Sequence, residues 1–229
     1  MKKIVVCGDS FYCPDPDYPG HWTEHVKDCD VVSLAHPGAS NLLIRIQVEK
    51  AIKMKPDLIV VGFTSCYRLT VKFKDGQGGE LLDRFFKTVD PKEDADLVSL
   101  PSGSLWIGNV LNDRQQQLLK EYTIEFMDLD LDLEHNYYLI QGTLDRLINT
   151  GIKFAYSQGG FDHPSYGQDR TYDFGDYKKY EVPNNLWDHY DIVNEDGGQR
   201  FGNSHEPSYH IREESVHKNL AEHVETLCQ

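Results

Sequence analysis

The opening stretch Lys2-Lys3-Ile4-Val5-Val6-Cys7-Gly8-Asp9-Ser10 constrains the chain more than any other. Ile4 to Cys7 is an unbroken, mostly β-branched apolar run, too short for a helix and followed at once by Gly, so it reads as a strand buried on both faces of a parallel sheet. Ligands of such sheets bind beyond the carboxyl ends of the strands, which puts Ser10 at the mouth of a crevice. Gly8 is expected to permit a tight turn there. A Ser hydroxyl is a weak nucleophile until a base takes its proton, so the remaining chain must supply a base and donors for an oxyanion if Ser10 is to act.

Two later segments repeat the pattern. Asp30-Val31-Val32-Ser33-Leu34-Ala35 reads as a second buried strand, running into His36-Pro37-Gly38-Ala39-Ser40-Asn41. Pro56-Asp57-Leu58-Ile59-Val60-Val61-Gly62 reads as a third, followed by Phe63-Thr64-Ser65-Cys66. In a parallel sheet all three ends converge on one edge. Between the second and third strands, Ser40 is placed to cap a helix with the face Ile44, Val48, Ala51 and Ile52. The free N–H groups of that helix start point back at the strand ends.

Helices are further expected over His21–Lys27, Asp113–Met127, Leu133–Ile148 (closed by Gly151) and about Arg212–Leu227, with a strand over Ile152–Ser157. The loop Phe11–Gly20, with its three prolines, is expected to wall the crevice. Residues 68–112, where periodicity weakens, read as an insertion folding over the site as a lid, with a short hairpin around Leu69–Phe73. Residues 161–201 are polar and aromatic without clear period. The alternation of strands and helices over 229 residues makes the chain one α/β domain, residues 1–229.

Composition narrows the partners. A formal charge of −14 disfavours nucleic acid and anionic membrane surfaces, and no apolar stretch approaches the roughly 20 residues of a membrane span. The start of the chain carries no signal-like apolar block, so a soluble, cytoplasmic protein is expected. The five cysteines are scattered without zinc-type spacing and read as reduced thiols. No phosphate loop or dinucleotide fingerprint is present, and neither a cofactor nor a metal is implied. Asp128-Leu129-Asp130-Leu131-Asp132 alternates as a calcium loop does but lacks its Gly and terminal Glu, so it reads as an acidic helix start. Trp106, Trp187 and some of the thirteen tyrosines are candidates for lining a sugar site, although most aromatics are simply core. His217 on the last helix reads as solvent-facing or as a core satellite.

Gly8-Asp9-Ser10, Gly38, Gly62-Phe63-Thr64-Ser65 and a His ahead of the C-terminal helix, in that order, resemble the SGNH (GDSL-type) hydrolases. The resemblance implies a three-layer α/β/α sandwich with a parallel, flavodoxin-like central sheet, and hydrolysis of a small ester, such as an O-acetylated or acylated glycan, by a Ser nucleophile without a cofactor. It implies Ser10 as nucleophile and as one oxyanion donor, and Gly38 as the second donor through its backbone N–H. The third donor is an Asn in a Gly-x-Asn-Asp motif in that family. Thr64 stands there in this chain, with Asn41 or Ser65 as replacements. The base is His210 in preference to His205. Pro207 occupies the position of the family's Asp before His210, and Gly202 before His205, which leaves Glu206 to orient the ring. These departures keep a second reading open, a catalytically inactive binding protein on the same fold.

Overall fold

The computed structural model describes residues 1–14, 20–36, 39–64, 68–72, 97–101, 113–126, 128–158, 172–182 and 214–229. The elements are β1 (Lys2–Cys7), α1 (Trp22–His25), β2 (Cys29–Ser33), α2 (Asn41–Lys53), β3 (Leu58–Gly62), β4 (Arg68–Lys72), β5 (Leu97–Pro101), α3 (Asp113–Phe126), α4 (Leu129–Thr150), β6 (Lys153–Ser157), a 3₁₀ turn (Gly175–Tyr180) and α5 (Glu214–Cys228).

Four strands form a parallel sheet in the order β2-β1-β3-β6. β1 is an inner strand: Ile4 stands beside Val31 on one side and Leu58 on the other, and Gly62 of β3 stands beside Ser157 of β6. Ile4 to Cys7 is wholly buried, as expected of a strand covered on both faces. Its side chains alternate between two cores. Val5 and Cys7, with Ile59 and Val61, pack against Ile44, Val48 and Ala51 of α2 and Ile140, Leu144 and Leu147 of α4. Ile4 and Val6, with Leu58 and Val60, pack against Trp22 of α1 and Val216, Leu220 and Val224 of α5. The molecule is therefore an α/β protein with helices on both faces of a parallel sheet.

Local signals explain the boundaries. Ser40 caps α2, its hydroxyl accepting from Leu43 N at 3.3 Å. Asp128 caps α4, with one carboxylate oxygen accepting from the N–H groups of Asp130 and Leu131 at 3.0 Å each. That acidic helix start sets the beginning of α4 at Leu129, four residues ahead of the expected Leu133. Gly151 ends the helix at φ 70°, a left-handed conformation that favours Gly.

Within the 68–112 segment the expectation of a local hairpin differs from what forms. β4 pairs antiparallel with β5, Arg68 opposite Pro101 and Lys72 opposite Leu97, so the partner of Leu69–Lys72 lies beyond residues 73–96 rather than at an adjacent turn. Pro101 followed by Ser and Gly disguised the second strand as loop, yet a proline is tolerated at a strand's end. Residues 73–96 and 102–112, hence most of the expected lid, lie outside the described residues, as do Trp106 and Trp187. His217 is buried, which settles it as core rather than solvent-facing.

Candidate functional site at the carboxyl edge of the sheet

Because β1 lies between β2 and β3 and all run the same way, their carboxyl ends meet at one edge, and a network of side chains laces them together. Gly8 follows β1. Its N–H donates to Gln47 Oε1 at 2.7 Å, and its carbonyl accepts from Gln47 Nε2 at 3.2 Å and from His36 N at 3.0 Å. Gln47 reaches this point from α2, between Ile44 and Val48 on the buried face. One amide thus fixes the exit of β1 against the helix, while the chain leaving β2 is fixed through His36.

Asp9 comes next and is completely buried. Its Oδ1 accepts from Phe11 N at 3.0 Å. Its Oδ2 accepts from the Thr64 hydroxyl at 2.7 Å and forms an ion pair with Arg68 at 3.1 Å. Tyr12 N donates to Asp9 O at 3.1 Å, closing the tight turn that carries Ser10. Ser10 is half-buried, one residue beyond a carboxylate held by three donors. The turn occurs where expected, but the demand for glycine has another cause. Gly8 does not take the left-handed φ. A Cβ there would lie 2.7 Å from Tyr12 Cβ, and at Gly62 it would lie 2.1 Å from the Tyr12 ring. Tyr12 folds back across both strand ends, and its hydroxyl is hydrogen-bonded to Ser157 at the end of β6.

Thr64, also completely buried, is held through its backbone as well. Its N–H donates to Asn41 Oδ1 at 2.9 Å, and its carbonyl accepts from Asn41 Nδ2 at 2.8 Å. Asn41 Nδ2 also donates to Asn136 Oδ1 of α4 at 3.0 Å. Arg68, at the start of β4, donates to the carbonyl of Ala39 at 2.8 Å while pairing with Asp9. The Ser40 and Thr70 hydroxyls are hydrogen-bonded beside it. Arg68 therefore ties the β1 exit, the loop before α2 and the start of β4 into one unit.

The structure brings three of the expected site residues, Ser10, Thr64 and Asn41, to this edge. Gly38, Glu206 and His210, together with the alternatives Ser65 and His205, lie outside the described residues. The loop expected to wall the crevice is described over Phe11–Pro14 and at Gly20, with Phe11 and Tyr12 buried. Sequence reading missed Arg68, Gln47, Asn136 and the part played by Tyr12. Gln47 alone left a signal, as a polar residue within the apolar stripe of α2, which requires a buried hydrogen-bond partner.

Burial pushes the Cys7 thiol far up from its ordinary pKa, which favours its protonated form. At the far side of Asn136, burial raises the Asp132 pKa, with His135 opposing it and the neighbouring Asp128 adding to it. Among the described residues, no three His, Cys, Asp or Glu side chains are grouped to hold a metal ion, and no helix is long and apolar enough to cross a membrane.

The class that fold and edge define is an α/β protein with its candidate site beyond the carboxyl ends of a parallel sheet. Against known proteins, no family model, no curated protein and no solved structure matches the chain.

Proposed function

We propose that this chain is a serine ester hydrolase of the SGNH type, built as a three-layer α/β/α sandwich with a flavodoxin-like sheet, and that it deacylates a small ester of the acylated-glycan class. The observation that carries the reading is Ser10 itself: half-buried, on a hydrogen-bonded turn, directly after the inner strand of a parallel sheet. A residue so placed lies beyond the carboxyl ends of the strands, the side where such sheets bind ligands. In this reading Ser10 attacks the ester carbonyl, His210 oriented by Glu206 takes its proton, and the Ser10 and Gly38 N–H groups with Thr64 or Asn41 stabilise the oxyanion.

A second reading, a ligand-binding protein without catalysis, draws on one observation. The Thr64 hydroxyl donates to Asp9 and the Asn41 amide is engaged by Thr64 and Asn136, so both side-chain donors serve the scaffold.

A fluorophosphonate probe with mass mapping separates the two. The hydrolase reading expects labelling at Ser10 and turnover of a nitrophenyl acetate that Ser10→Ala abolishes, with His210→Ala losing far more than His205→Ala. A folded wild type with neither label nor turnover leaves the binding reading, for which a glycan-binding screen is then the assay.

A further inference from the structure

Lys2 holds the two ends of the chain together. It opens β1 opposite Cys29 of β2, and its ammonium group donates to the carbonyl of Cys228 and, at 2.8 Å, to that of Gln229. A cation at the carboxyl end of a helix is favourably placed against the helix dipole. One turn earlier on α5, the Glu225 carboxylate accepts from the backbone N–H of Lys27, two residues before Cys29. Glu225 and Cys228 lie three residues apart on a helix and so share a face, fastened at Glu225 to the segment entering β2 and at Cys228 to Lys2 at the start of the adjacent β1. Cys29 and Cys228 both pack into the core beneath α5. The Cys228 thiol is near enough to act on Cys29 both through charge and through a side-chain hydrogen bond. Both are free thiols; Cys228 is buried and Cys29 is half-buried, open to a reagent from solvent.

We propose that Cys29 and Cys228 are a reversible redox site, closing to a disulfide on exchange with a low-molecular-weight disulfide such as oxidised glutathione. The half-exposed Cys29 thiolate attacks one sulfur of glutathione disulfide, releasing one glutathione and forming a mixed disulfide. The Cys228 thiolate then attacks the Cys29 sulfur and expels the second glutathione. Two protein thiols are oxidised and one glutathione disulfide is reduced to two glutathiones, so the exchange balances. Its product joins the edge strand of the sheet to the last helix across nearly the whole chain. In a reducing compartment such pairs are transient and sensing rather than permanent staples. Burial, the Cys228 thiol and the Glu225 and Asp28 carboxylates hold the Cys29 pKa up, so exchange quickens as the pH rises.

The test incubates the folded wild-type protein with a glutathione redox series, quenches it with acid, and maps disulfides by mass spectrometry. The expected product has lost two hydrogens, contains a peptide pair joining Cys29 to Cys228, and reverts with dithiothreitol. Its thermal midpoint rises by roughly 5 °C or more over the reduced form, because the cross-link restricts the unfolded chain. Cys29→Ser and Cys228→Ser each remove both the cross-link and the rise. Mapping of the wild type stands by itself if either variant folds poorly. Stable glutathionylation of Cys29 without closure, or a principal disulfide through Cys13 or Cys66, overturns the proposal.

Discussion

Asp9 is a carboxylate with no access to water, and its burial is tolerable only because Arg68, the Thr64 hydroxyl and Phe11 N all donate to it. Removing one partner of a buried ion pair strands the other charge. Arg68→Ala is therefore expected to cost about 3 kcal/mol of stability in urea unfolding. Asp9→Asn in the same chain removes the stranded charge, so the double variant should be less destabilised than the two single losses added together. Strict additivity would show that the pair is not coupled. The same residues explain which parts of the edge were legible. Gly8, Ser10, Thr64 and Asn41 were placed at one edge by their positions after apolar runs, since strand ends are a local property. Why positions 8 and 62 are glycine was not legible, because the reason is a ring from Tyr12 that arrives only when the loop folds back. Arg68 was hidden for a similar cause: its partner is 59 residues away in sequence and in no motif with it.

Elements were legible where one face is buried and a cap is written into the chain. The stripe of Ile44, Val48 and Ala51 and the Ser40 cap define α2, and Leu144 and Leu147 with Gly151 define the end of α4. Apolar periodicity alone put the beginning of α4 at Leu133, whereas the acidic helix start read from Asp128–Asp132 is where the helix begins, at Leu129. Asp128 caps it, and Asp130 and Asp132 lie in its first turn, where the helix dipole favours them. Asp128→Ala removes an acceptor shared by two N–H groups, and should lower stability by about 1 kcal/mol with the first turn of α4 fraying. Amide exchange checks this: faster exchange confined to residues 130–132 supports the cap, and exchange unchanged there refutes it. The β4–β5 ladder lay beyond a local reading. Two short strands separated by residues 73–96 recognise each other through tertiary pairing, and no turn between neighbours announces it.

At the scale of the whole molecule, the second face of the sheet is closed by the last helix, and contacts between opposite ends of the chain hold it there. Lys2 bonds to Cys228, Lys27 to Glu225, and the Trp22 N–H donates to His217 Nδ1 at 3.1 Å. The apolar face of α5 was readable, but its destination was not, since the core it covers is built largely from strands β1 and β3 near the other end of the sequence. This closure has an acid-sensitive side. His223 on α5 is half-buried, and desolvation lowers its pKa below the ordinary 6.5. An unfolded chain takes up that proton more readily than the folded one, so the stability contributed is full above the ordinary value. It falls as acid is added through that value and levels off once the folded ring also titrates. The thermal midpoint is expected to be level well above the ordinary histidine value and to begin declining as the pH falls through it. His223→Gln, which cannot titrate, should make that decline shallower while leaving the midpoint at higher pH nearly unchanged. A variant whose midpoint falls as steeply as wild type would place the acid sensitivity elsewhere than on the helix that closes the fold.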